Sequence, residues 1–359
     1  MKEVRRASWF LAFIAFSITA GVYIFTPIIL LIVAKVGSLV NLIQDEERFI
    51  TEVGNNNLIL TMAMHIFMIC SCFIFIGKFK LWKNVRFKLI GPLKVFLLVI
   101  LTYSLYPVIN LIAIVASLFS ENVLQNALGE YLDSTPFYIM FLMMAVMPPI
   151  GEELIFRGIF LSSHDKVNKI GAILISAVLF GIFHGNINQF VYAAFLGIIL
   201  AIVVEITDSI YSSMIIHFVF NGTETVMIYL LPKLIEVLKK IYPNTDPSEF
   251  EMAENTVIDK AFVIEYLKSS WLVVLTSLAF SAFIIWLLAL VCHKNLKEVF
   301  FNCEKTDGAV VSEEKDNQDE QESDREVQHY KEKERIITIP LVLAFLIMLG
   351  YMVYVELRV

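Results

Sequence analysis

Residues 151–158 read GEELIFRG: two adjacent carboxylates, Glu152 and Glu153, and Arg157, in a stretch otherwise built from Met, Phe, Ile and Leu. Ionisable groups within apolar helices are costly, and they face a protein interior or a water-filled cavity. Few other residues of this kind exist in the chain: His65, His184 and His217, with Asn221 as a polar companion. Glu153 and Arg157 stand four apart with the acid first, the favourable order for a helical ion pair. Each neutralises the other where an unpaired charge is costly, which makes the pair structural. Glu152 is rotated by about 100° from Glu153 and lacks an obvious partner. Pro148 and Pro149, just upstream, should loosen the helix and open space beside it.

Phe180 and His184 share one helical face, and so do His217 and Asn221. A carboxylate in a partly apolar cavity can take a proton from water, and a neighbouring imidazole can share that water or pass the proton on. A His and an Asn one turn apart can donate hydrogen bonds to a carbonyl oxygen as it becomes an oxyanion. These groups suffice for amide hydrolysis without a covalent intermediate. Glu152, His184 and His217 could equally bind Zn²⁺ with one open position, the metal then generating the hydroxide. A lone intramembrane His such as His65 is more simply a packing residue.

The elements that must position these groups are membrane helices. The chain has 359 residues and is 58% hydrophobic, with mean hydropathy +0.72. Apolar blocks of spanning length, about 20 residues, fall near 9–36, 57–77, 91–119, 137–162, 170–185, 188–206, 209–231, 271–292 and 336–355. The fold class is therefore all-α: a polytopic helical membrane protein with about eight or nine transmembrane helices. The fifth block is short and is expected to be re-entrant or tucked against its neighbours. Ala177, Gly181 and Gly185 on that block, and Ala193, Gly197 and Ala201 on the next, repeat every four residues, a spacing that lets helix backbones approach closely in lipid. Estimated from the cytoplasmic ends at about 1.5 Å per residue, Glu152 lies roughly 14 Å deep, His217 roughly 12 Å, Asn221 roughly 18 Å and His184 roughly 21 Å. Three helices thus carry one acid, two imidazoles and one amide to similar depth, which favours a single shared site. Glu205 and Asp208 fall at a helix end, where water can reach them.

Basic residues cluster before the first block (Lys2, Arg5, Arg6), after the second (Lys78, Lys80, Lys83, Arg86, Lys88) and after the fourth (Lys166, Lys169). All lie on one side if the N-terminus is cytoplasmic. The MKEVRR start precedes an apolar run too long for a signal h-region, so it reads as an uncleaved first helix. Residues 1–303 form the membrane domain, with a catalytic core at about 137–231. The 232–270 region reads as an outside loop with a short amphipathic helix in LPKLIEVLKKIYP. Residues 304–335 are acidic and polar, as a disordered linker would be, and 336–359 carry the last transmembrane helix. Cys70, Cys72, Cys292 and Cys303 form no disulfide framework and read as soft packing residues. The net charge of −7 leaves no basic patch for nucleic acid, so the expected partners are membrane lipid and a peptide or membrane-protein substrate. Composition sets no oligomeric state.

The three patterns EELIFR (152–157), FGIFH (180–184) and HFVFN (217–221) together resemble the EExxxR, FxxxH and HxxxN motifs of the CPBP intramembrane proteases. That family includes CAAX prenyl endopeptidases and bacterial Abi-type, bacteriocin-processing and immunity-associated members. The resemblance covers about 137–231, and Gly158 follows the arginine as it often does there. It implies an endopeptidase in which Glu152 activates water, His184 assists, His217 and Asn221 form the oxyanion site, and Glu153 and Arg157 hold the helices, with Phe180 in support. Members are described as metal-dependent or as glutamate-dependent; the glutamate version, without cofactor, is preferred here. HExxH, GxSG and GxGD are absent, which disfavours zincin-type, rhomboid-type and aspartyl intramembrane proteases. Two other classes remain as alternatives: a non-catalytic scaffold or bacteriocin-immunity protein of the same fold, and a proton-coupled transporter using the same groups as a relay. The Lys- and Ile-rich composition reads as that of a bacterial cell-membrane protein.

Overall fold

The computed structural model describes residues 2–17, 19, 31–32, 34–35, 38, 44–47, 57–120, 135–164, 168–242, 260–301 and 337–357. The helices are α1 (Lys2–Phe16), α2 (Asn57–Phe79), α3 (Pro92–Ala116), α4 (Phe137 to His164, in consecutive α and π segments), α5 (Lys169–Phe183), α6 (Ile187–Thr207), α7 (Ile210–Ile241), α8 (Lys260–Val291), the short α9 (Leu296–Phe301) and α10 (Ile339–Glu356). Among the described residues, seven of them (α2, α3, α4, α6, α7, α8 and α10) are long and apolar enough to cross a membrane, and α5 is a shorter apolar helix. The chain is thus an all-α polytopic membrane protein. The acidic 304–335 segment and Cys303 lie outside the described residues. Of the other cysteines, Cys72 is buried in the core, Cys70 is exposed and Cys292 is half-buried, all as free thiols.

Three consecutive helices begin at side chains that suit an N-cap. Asn168 accepts from Gly171 N at the start of α5, Asn186 from Gln189 N at α6, and Ser209 from Tyr211 N at α7. Asp208, in the left-handed region, turns α6 directly into α7. These caps fix where each helix starts, and hence the depth of the groups it carries.

At 15 residues, α5 is only about 22 Å long, short of a hydrocarbon core of about 30 Å. It compensates by packing closely on α6. A Cβ added at Gly181 would stand 2.6 Å from the carbonyl oxygen of Phe190, and one at Gly197 would stand 3.0 Å from Ala177 Cα. The spaced small residues therefore bring the two backbones together. Gly185 is the exception in its set: its φ of +67° ends the helix, and it faces Tyr351 of α10. Gly181→Val should lower the thermal midpoint in detergent, by an amount corresponding to about 1–3 kcal/mol. Gly77→Ala, at a position with open space around it, serves as the control and should not.

Three sequence expectations change. The amphipathic stretch after residue 230 is no separate helix: α7 runs unbroken through Pro232 to Ile241, and α8 starts at Lys260. Pro232 removes one backbone donor, but the following residues are mostly strong helix formers, and Lys240 reaches Glu236 at 2.6 Å. Glu205 is not left to water. It is buried, 2.6 Å from Arg86 and 3.3 Å from Lys169, while the half-buried Asp208 meets Lys88 at 3.6 Å. The positive residues of the 78–88 loop thereby clamp the α6–α7 turn. Finally, α1 begins at Lys2, so its basic residues are themselves helical, and Arg6 stacks on Phe79 of α2.

The last helix is built into the bundle. It packs along α1, and Glu356 accepts hydrogen bonds from Ile187 N at 2.8 Å and Asn186 Nδ2 at 3.3 Å. A carboxylate at the N-terminus of α6 satisfies a backbone donor that the helix cannot.

Candidate active site

The site begins with a fault in α4. Residues Leu142–Val146 form a π segment, and Pro148 and Pro149 follow at once. The carbonyl of Met144 would receive its helical hydrogen bond from residue 148 in an α-helix or residue 149 in a π-helix. Both are prolines and carry no N–H. Asn221 of α7 supplies the missing donor, its Nδ2 lying 3.0 Å from Met144 O. The loosening expected upstream of Glu152 is thus real, and a side chain from another helix compensates for it. Pro148 and Met144 line a cavity of about 700 Å³ beside Glu152.

Glu153 and Arg157 sit one turn apart, both fully enclosed, with Arg157 Nη1 3.0 Å from Glu153 Oε1. Arg157 Nη2 donates to the carbonyl of Gly197 on α6 at 2.9 Å, and the guanidinium lies 4.4 Å from the Phe180 ring centroid. One arginine therefore ties α4 to both α5 and α6. Phe180 is the hub of this layer, meeting His184 and His217 edge-on with ring centroids 5.0 and 5.5 Å away.

His217 carries a contact that spacing did not reveal: its Nδ1 is 3.0 Å from Glu153 Oε1. The carboxylate, already bound to Arg157, accepts, so Nδ1 carries the proton. The opposite nitrogen, Nε2, is 4.0 Å from Glu152 Oε2. His184 is held in the same way, with Nδ1 donating to Phe180 O at 2.8 Å. In both neutral rings Nε2 is then the acceptor nitrogen. His217 can donate to an oxyanion only as the doubly protonated ring, a condition the sequence reading did not contain.

Glu152 is 7% exposed, and its Oε2 has no hydrogen-bond partner within the protein. It lines the cavity together with Phe180, His184, His217 and Asn221. Glu153 and Arg157 stand behind that wall. The cavity also takes in three residues to which the sequence reading gave no part in the site: His65, whose Nδ1 meets Thr61 O at 2.8 Å, Tyr192 and Glu224. Glu224 had a readable signal, since it lies seven residues after His217 and three after Asn221, on the same face of α7. Among the described residues no three His, Cys, Asp or Glu side chains are gathered as metal ligands. Glu152, His184 and His217 line one cavity without forming such a set.

Sequence comparison finds relatives for part of this cavity's lining. Residues 134–223 match the model of the type II CAAX prenyl endopeptidases, Rce1-like. The part of the chain that carries the cavity's Glu, His and Asn residues is therefore similar to the CPBP intramembrane proteases. A stretch of 109 residues is 31% identical to the "Putative membrane peptidase YdiL" of Bacillus subtilis (strain 168), covering 30% of this chain and 43% of that protein. The chain thus spans less than half the length of that curated relative. No solved structure matches it. The family match contains Glu152, Glu153, Arg157, Phe180, His184, His217 and Asn221; Glu224 falls one residue beyond it.

Proposed function

We propose that the chain is an intramembrane endopeptidase that hydrolyses peptide bonds of membrane-associated or peptide substrates with water activated by Glu152. The observation that carries this reading is the asymmetry of the two neighbouring acids. Each acid has one oxygen, Oε2, that no protein group binds, but Glu153 is held through Oε1 by Arg157 and His217 behind the wall, whereas Glu152 lines the cavity with no Lys or Arg beside it among the described residues. A scaffold has no use for an acid left in that state, whereas a general base needs it.

In the reaction, water between Glu152 and the Nε2 of His184 gives its proton to the Glu152 carboxylate. The oxygen attacks the carbonyl carbon of the substrate, and the electron pair moves onto the carbonyl oxygen. Asn221, through its second amide N–H, and protonated His217 stabilise that oxyanion. As the carbonyl re-forms, the C–N bond breaks and Glu152 returns the proton to the departing amine. Glu153 and Arg157 hold His217 and the helices around it. The chain sits in a bacterial cell membrane with its N-terminus cytoplasmic, and needs no cofactor.

The test is cleavage of a peptide library by the full chain purified in detergent, with products mapped by mass spectrometry and with a zinc chelator present or absent. New termini at defined bonds, formed equally in both arms, are expected. Loss of cleavage with chelator, restored by Zn²⁺, would assign the water activation to a metal. Absence of any cleavage, with a membrane function retained in cells by Glu152→Gln, would favour the scaffold.

A further inference from the structure

Glu224 has no part in the hydrolysis described above, yet it stands in the same cavity wall. It is half-buried, and among the described residues no Lys or Arg lines the cavity. The charge contacts recorded for the cavity residues are those of His217 with Glu152 and Glu153. Two tyrosines flank Glu224. Tyr106 donates its hydroxyl to Phe220 O at 3.2 Å, and Tyr192 is itself a lining residue. An acid in the wall of open volume, with Tyr192 in the same wall and no cation recorded beside it among the described residues, is complementary to a positive group brought by a ligand. The carboxylate offers charge in a medium of low dielectric.

We infer that Glu224, with Tyr192, forms a subsite that selects a cationic group on the substrate, a Lys or Arg side chain or a free amino terminus. The inference rests on the peptidase reading of the cavity. Position sets the reach. Seven residues along α7 separate His217 from Glu224, about 10 Å of helix. An extended peptide covers that in about three residues at roughly 3.3 Å each. The cationic group therefore belongs within about three residues of the scissile bond. The imidazoles at the other end of the cavity keep this acid's role distinct from that of Glu152.

The test has a binding arm and a cleavage arm, both on the full chain in detergent. Fluorescein-labelled peptides from the library carry Lys, norleucine or Glu at each position in turn, with the amino terminus free or acetylated. Where a scissile bond is mapped, the three positions on either side of it are the ones compared. Binding to the Glu152→Gln protein is read by anisotropy at low and high salt. At the matching position the Lys peptide should bind about tenfold more tightly than the norleucine peptide, with the gap narrowing as salt rises. Adding Glu224→Gln should bring that ratio to about one, and Glu224→Lys should turn it in favour of the Glu peptide. If acetylation alone removes the preference, the selected group is the amino terminus. Equal binding of Lys and norleucine peptides by the otherwise unmutated subsite would overturn the inference without any substitution at Glu224. A ratio unmoved by both Glu224 changes would overturn it too. Charge-selective binding without cleavage by the wild-type chain would leave the subsite standing and remove the peptidase reading; cleavage indifferent to charge would do the reverse.

Discussion

Glu152→Gln should reduce peptide cleavage by about a thousandfold or more while the protein remains folded and monodisperse in detergent. The loss follows from chemistry rather than packing. Glutamine matches glutamate in shape, and Glu152 makes no hydrogen bond through Oε2 whose loss would destabilise the bundle. Among the described residues the contact recorded for its carboxylate is His217 Nε2, 4.0 Å from Oε2. An amide cannot take a proton from water, and the positioned base contributes about 10²–10⁴ in rate. The same side chain also returns that proton to the leaving amine, which places the loss at the upper part of the range. Thermal unfolding measured beside kcat/KM separates the two effects: the rate should collapse with the melting midpoint within a few degrees of wild type. A variant that cleaves at the wild-type rate would remove Glu152 from the mechanism.

The second large effect should be on stability. Arg157→Leu removes the partner of Glu153, the bond to the Gly197 carbonyl and the stack on Phe180, all in fully enclosed surroundings. Breaking one half of a buried ion pair costs about 3–5 kcal/mol because the remaining charge stays in the interior. The variant should express poorly, and what is purified should melt well below wild type and aggregate on gel filtration. Arg157→Lys should rescue little, since an ammonium cannot bond Glu153 and the Gly197 carbonyl in the same flat geometry. A stable Arg157→Leu protein that is merely inactive would mean that Arg157 acts on substrate rather than on helix packing. The two variants should therefore fail in opposite ways: Glu152→Gln folded and silent, Arg157→Leu unfolded.

Much of this was legible in the sequence because hydrocarbon imposes strict rules on what a helix can carry. The positions of the seven spans found among the described residues, the close approach of α5 and α6 through Gly181 and Gly197, and the Glu153–Arg157 pair all follow from residue type and spacing. The first expected block, 9–36, lies partly outside the described residues. The extent of α7 was not legible. Pro232 and a turn of charged residues look like an ending, but neither stops a helix whose backbone is otherwise intact. Two features of the site were hidden because they depend on contacts between helices. The bond from His217 to Glu153 joins positions 64 residues apart, and it changes which ring nitrogen faces the cavity. The bond from Asn221 to Met144 could be anticipated only by asking which carbonyl two adjacent prolines leave without a donor. Glu224 was readable by periodicity alone, three residues beyond Asn221 on the same face of α7.

That bond also gives Asn221 a double duty. Asn221→Ala leaves the Met144 carbonyl unsatisfied, which costs about 1–3 kcal/mol, and also removes an oxyanion donor. Its activity loss should therefore come with a measurable drop in melting midpoint, unlike that of Glu152→Gln.

The sharpest measurement is a double-mutant cycle on kcat/KM between Glu152 and His184, using Glu152→Asp so that a displaced carboxylate keeps residual rates measurable, with His184→Asn as the second change. Groups that act on one water lose function as a unit, so the double variant should be within about threefold of the slower single. Losses that multiply would show the acid and the imidazole working independently, and would contradict a shared catalytic water in this cavity.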